Sequence, residues 1–229
     1  MRLSGPTFIA LFGFIGLVIV YASDQILPAA SEHQAQIRVW IAARAAGIVA
    51  YLLLTLQVVV GLVLSHPTNQ STWKLSKALF PWHEGAWVFV LAFLAAHVVT
   101  IVVDPYAGVG LGGALVPGLS SYRSAPVALG TLALYALVVT GLTARYTKLL
   151  PAGLWLKLHR LAIVVFGLAW LHGMLAGTDS QTLLPMYLAT GLAVLAAVAY
   201  RYWVVRTARS DQRPRPITPS SSPTEVPAP

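Results

Sequence analysis

Residues 83–97 read HEGAWVFVLAFLAAH, and residues 159–172 read HRLAIVVFGLAWLH. Each stretch opens and closes on histidine and is otherwise apolar enough to sit in lipid. An imidazole at membrane depth costs free energy unless something pairs with it, so polar groups there mark function by default. His83 and His97 are 14 residues apart, and His159 and His172 are 13 apart. At about 1.5 Å of rise per residue these are roughly 21 and 19.5 Å along a helix, most of a hydrocarbon core of about 30 Å. Each stretch therefore offers one imidazole near each membrane face.

Composition supports lipid as the solvent. Hydrophobic residues make up 57% of the 229-residue chain and charged residues 10%, against about 25% charged in soluble domains. There is no cysteine, which removes disulfides, thiolate metal sites, iron–sulfur clusters and covalent c-type haem attachment. Any metal must be held by His, carboxylate, Met or Tyr.

Apolar runs near 6–22, 40–64, 85–103, 125–145, 157–176 and 185–205 predict six transmembrane helices in one domain, 1–206. The start, MRLSGPTFIALFGFIGLVIVYAS, also has the outline of a cleaved leader; it is read here as a retained first span. The net charge of +8 is topological. With the N-terminus inside, Arg2, Lys74, Lys77, Arg145, Lys148, Lys157, Arg160, Arg201, Arg206, Arg209, Arg213 and Arg215 lie on the inner side, and only Arg38, Arg44 and Arg123 lie outside. The positive-inside rule then places both termini in the cytoplasm of a multi-pass protein of the cell (inner or plasma) membrane. A nucleic-acid partner is unnecessary to explain the charge.

Residues 207–229, rich in Pro, Ser and charge, predict a disordered cytoplasmic tail. The long connection 104–124, DPYAGVGLGGALVPGLSSYRS, predicts a flexible outer loop. Its glycines are no dinucleotide fingerprint, which needs a strand before and a helix after. No soluble flavin or nicotinamide domain is expected.

The third and fifth runs both point outward, so their histidines meet at two levels: His83 faces His159, and His97 faces His172. Two opposed imidazoles across a flat gap are what six-coordinate haem iron needs from a helix bundle. The fold expected is therefore all-α: an integral membrane bundle of six helices with two stacked b-type haems. The phase is awkward at one point. A 14-residue step returns within roughly 40° of one face, but a 13-residue step lands about 140° away. His159 must sit in a ragged first turn or beside a tightened one. The alternative reading is a transporter or scaffold whose histidines bind a metal ion or stabilise the bundle.

The stretch WLKLHRLAIVVFGLAWLH, with histidine pairs 14 and 13 apart two helices from each other and LHR opening the second, resembles the ferric reductase-like transmembrane family. That family includes ferric reductases, the membrane part of NADPH oxidases and the haem-binding subunit of methionine sulfoxide reductase. Over about residues 40–205, the resemblance implies an inner haem on His83 and His159 and an outer haem on His97 and His172. It implies an oxidoreductase that carries electrons from a cytoplasmic-side donor to an extracytoplasmic acceptor. The chain departs from the family in lacking an FAD/NADPH domain. The donor expected is thus a separate flavoreductase or a membrane quinone, with FAD reached only through a partner or weakly at the cytoplasmic face. The acceptor expected is an exported redox protein or a small molecule such as ferric iron or oxygen.

Haem propionates want cations. Arg44, Arg123 and Arg160 are the candidate propionate partners, with Lys77 beside them; otherwise they snorkel or anchor the positive-inside face. Glu84 is read first as a cap in the opening turn of its helix, and second as an acceptor orienting a histidine. His66 closes the second span before Pro67, and His33 lies in the outer loop with no role. Trp40, Trp73, Trp82, Trp155 and Trp203 suit an aromatic belt. Glycines 85, 141, 167 and 173 allow close approach of helices or of a macrocycle.

Overall fold

A computed structural model describes residues 31–64, 70–151 and 153–211. The first predicted span, 6–22, His66 and most of the tail lie outside the described residues. The described chain is all-α. It comprises α1 (Glu32–Leu64), α2 (Gln70–Val103), α3 (Gly110–Leu115), α4 (Ser124–Arg145), α5 (Leu154–His159), α6 (Ala162–Ala176) and α7 (Leu184–Asp211), with a 3₁₀ turn at Thr147–Leu149. Five stretches are long and apolar enough to cross a membrane: α1, most of α2, α4, α5 with α6, and α7 as far as Arg206.

The span centres agree with the apolar runs, and the ends differ for a physical reason. Lipid fixes which residues are apolar, but a helix continues into the headgroups while its residues tolerate it. So α1 begins at Glu32 and takes in His33, which is helical rather than in a loop. Similarly, α2 begins at Gln70 and runs through Pro81, whose ring removes one ladder hydrogen bond without ending the helix. Glu84 is therefore in a helix interior and does not cap a first turn. At the other end α7 persists to Asp211, five residues into the predicted tail; the next proline is Pro214.

The core is a seam along α1. Tyr51, Leu54, Val58 and Leu62 recur at helical spacing and are buried against Val90 of α2, Val165 and Phe166 of α6, and Tyr187, Val194 and Ala197 of α7. Leu132, Leu192 and Leu195 remain exposed on outer faces, where lipid tails are as good a solvent as another helix. The backbones approach most closely between α1 and α2 and between α4 and α6; α2 and α6 have no comparable approach. The two histidine-bearing helices are thus held apart by their neighbours.

Residues 104–124 form a packed lid, which corrects the expectation of a flexible loop. Ala107 and Val109 are buried with Val127, and Trp40, Ile101, Ala114 and Tyr122 pack around them. Trp40 meets Tyr106 and Tyr122 edge-on, with centroids 6.0 Å apart in both pairs. The lid is tied down by polar bonds. Thr131 Oγ1 donates to the Ala114 carbonyl at 3.0 Å, Tyr135 donates to Leu115, and the Tyr122 hydroxyl donates to the Ala176 carbonyl at 2.9 Å. The loop's Val, Tyr and Ala side chains supply the packing.

Candidate functional site

The structure brings the four histidines together in two pairs. His83 on α2 faces His159, the last residue of α5, with ring centroids 6.0 Å apart and planes at 88°. His97 on α2 faces His172 on α6, with centroids 6.4 Å apart and planes at 73°. An atom held between two imidazole nitrogens at about 2.0–2.1 Å on each side sets the centroids roughly 6 Å apart, once the radius of each ring is added. Both pairs have that separation.

The awkward 13-residue step is resolved in the backbone. The helix breaks after His159: Arg160 and Leu161 are in a turn, and α6 restarts at Ala162. Across the break the Leu161 N–H bonds the Leu158 carbonyl at 3.0 Å and the Ile163 N–H bonds the Arg160 carbonyl at 3.4 Å. These three-residue steps belong to a tightened 3₁₀ turn.

The two levels differ in how their rings are held. His97 Nδ1 donates to the Ala43 carbonyl at 2.7 Å, and His172 Nδ1 donates to the Pro126 carbonyl at 2.8 Å. A carbonyl only accepts, so the proton is on Nδ1 and the lone pair on Nε2. At the 83/159 level both Nδ1 atoms are buried without a hydrogen bond. There the Gln57 amide donates to the His83 carbonyl at 2.6 Å, and Trp155 lies against His159 with centroids 6.1 Å apart.

A mostly apolar cavity surrounds the 97/172 level, lined among others by Leu94, Val165 and Tyr187, with Trp40, Arg44 and Asp179 also on its wall. Arg44 lines that cavity, but its guanidinium pairs with Asp179 and lies 5.9 Å from the Trp40 ring centroid. Arg123 is placed otherwise. It caps α6, donating to the carbonyls of Leu175 at 2.8 Å and Gly177 at 3.4 Å, and it does not line the cavity. Its charge satisfies helix-end carbonyls that have no intrahelical partner. Arg160 is exposed at the break beside His159, close enough to Arg201 for their charges to interact. Lys77 is exposed, six residues before His83.

Several residues of the site carry no signal in the composition of the spans. Asp179 stands in a short connection, and Ala43 and Pro126 contribute only backbone. Trp82 and Trp203 are exposed as a belt requires, whereas Trp40 packs against the lid. Of glycines 85, 141, 167 and 173, only Gly173 is in close approach, with Tyr187 Oη 2.7 Å from where its Cβ would stand; the other three meet nothing within 4 Å. Among the described residues, the glycines that face histidine rings are 47, 61 and 130.

No protein-family model matches this chain, and neither the characterised proteins nor the solved structures compared with it give a match.

Proposed function

We propose that this chain is a transmembrane cytochrome of the ferric reductase-like kind, binding two b-type haems and passing electrons across the membrane. The observation that carries the reading is the geometry of the two pairs: opposed imidazoles at two levels, each with the separation that one metal atom requires, between helices whose backbones make no close approach like that of α1 and α2. Two protein ligands per level suit a metal whose other positions a macrocycle fills. A divalent-ion site would gather three or more protein ligands, and among the described residues no such group of His, Cys, Asp and Glu occurs. The buried Nδ1 atoms of His83 and His159 leave both rings free to turn a nitrogen toward a bound group.

His83, His159, His97 and His172 would hold the haems, which when bound supply one-electron carriers at two depths. The chain does the rest. The Ala43 and Pro126 carbonyls keep the protons of His97 and His172 on Nδ1, which directs Nε2 inward and makes it a stronger donor. Leu94, Val165 and Tyr187 keep the 97/172 level largely apolar. Arg44 provides a cation on the cavity wall, already balanced by Asp179; it is the propionate partner in this reading, and Arg123 is not. Arg160 is the corresponding candidate at the 83/159 level.

The direction proposed is from the cytoplasmic side, at His83 and His159, to the extracytoplasmic side, at His97 and His172, with both termini cytoplasmic. The donor proposed is a separate flavoreductase or a membrane quinone, and the acceptor an exported redox protein or a small extracytoplasmic oxidant.

The test is optical. Protein purified from haem-replete cells should show a Soret band and a sharp reduced α band, with two haems per chain by pyridine haemochrome. A colourless chain, folded and inserted, refutes the proposal and favours a transporter or scaffold.

A further inference from the structure

Three glycines press against three of the four histidines. A Cβ at Gly47 would fall 2.8 Å from His97 Nδ1, one at Gly130 would fall 2.7 Å from His172 Nδ1, and one at Gly61 would fall 2.9 Å from His83 Cε1. No real Cβ makes contacts that short, so alanine at any of the three would displace the ring.

For two of the three glycines, the carbonyl that accepts from the ring lies four residues before it. His97 bonds Ala43, four before Gly47; His172 bonds Pro126, four before Gly130. Gly61 differs: it meets His83 at Cε1, and His83 Nδ1 has no hydrogen bond. On an α-helix, positions i and i+4 stack one above the other on the same face. A missing side chain at i+4 therefore opens the space over carbonyl i. That carbonyl has two lone pairs, one for its helical N–H and one to spare.

We infer that Ala43 with Gly47 and Pro126 with Gly130 are positioning notches, each admitting one imidazole so that Nδ1 faces a helix carbonyl and Nε2 faces the opposing histidine. The glycines touch no cofactor in this scheme; they act through the rings. Gly47 and Gly61 are 14 residues apart, as are the His97 and His83 that they meet, but only the Gly47 contact accompanies an Nδ1 bond. The notches rest on the haem reading only for what Nε2 then binds.

The experiment is ¹⁵N NMR of the full-length, histidine-labelled chain in lipid nanodiscs, reduced so that any bound iron is diamagnetic. In the wild type, His97 and His172 should both carry the proton on Nδ1. Gly47→Ala should move the His97 signals alone and Gly130→Ala the His172 signals alone. Gly85→Ala, on an exposed position that meets nothing within 4 Å, should move neither. In the reduced spectrum Gly47→Ala and Gly130→Ala should disturb one α-band component, and Gly61→Ala the other. Protons on Nε2 of His97 and His172 in the wild type would overturn the notches, even if no alanine variant inserts. So would imidazole signals indifferent to Gly47→Ala and Gly130→Ala. A colourless wild type that still shows the Nδ1 pattern sinks the cytochrome reading and leaves the notches standing.

Discussion

Replacing His97 with alanine separates the two levels most cleanly. The substitution removes one of two opposed nitrogens at the 97/172 level and the bond to the Ala43 carbonyl. It leaves the 83/159 pair untouched, 14 residues away on the same helix, roughly 21 Å at a rise of about 1.5 Å per residue. The cost to the bundle is small, because interhelical hydrogen bonds in membranes contribute about 0.6 kcal/mol on average and about 1.7 at most. The α1–α2 seam has Tyr51, Leu54 and Val58 to hold it together. The variant should insert, fold, and bind one haem per chain instead of two, with the remaining α band unchanged. Pyridine haemochrome against protein concentration reads the ratio directly. Two haems retained would refute His97 as a ligand; none retained, in an inserted chain, would refute the independence of the levels.

Arg123→Met should destabilise the α6 end by about 1–2 kcal/mol, since charged hydrogen bonds contribute about 1.5–3 and this group is exposed; thermal unfolding in detergent checks it, and an unchanged midpoint would return Arg123 to the pool of propionate partners. Asp179→Asn should change stability by less than about 1 kcal/mol, because the Arg44–Asp179 pair is partly solvated; a larger fall, or no dependence on salt, would show the pair to be structural. The chain has no cysteine, so single cysteines report topology without background. Leu119→Cys in the lid should react with a membrane-impermeant maleimide from the extracytoplasmic side, and Lys148→Cys only after permeabilisation. The opposite pattern inverts the proposed orientation.

The fold was legible where lipid constrains the sequence and obscure where it does not. Long apolar runs located α1, α2, α4, α6 and α7, but not the extension of α2 back through Pro81, because those residues neither require helix nor forbid it. The 13-residue step between His159 and His172 announced a local tightening, and the chain breaks at Arg160 and Leu161. The lid escaped notice because GVGLGG looks flexible until Trp40, Tyr106 and Tyr122 close over it. At the site, histidine spacing revealed which rings oppose each other. It could not reveal Ala43, Pro126 or Gly47, since a backbone carbonyl has no sequence signature and a glycine reads alike whether it faces an imidazole or lipid. Asp179 had no period to betray it.

The interleaving of the helices has a consequence for biosynthesis. Each histidine on α2 waits for a counterpart that is translated only after the lid and α4. Until His159 emerges neither level has two imidazoles, and until His172 emerges the second has one. In the proposed reading, any metal centre captured earlier would be held by a single nitrogen, so loading would follow translation of α5 and α6. The level nearer the chain's α5 break is necessarily the first that can be filled.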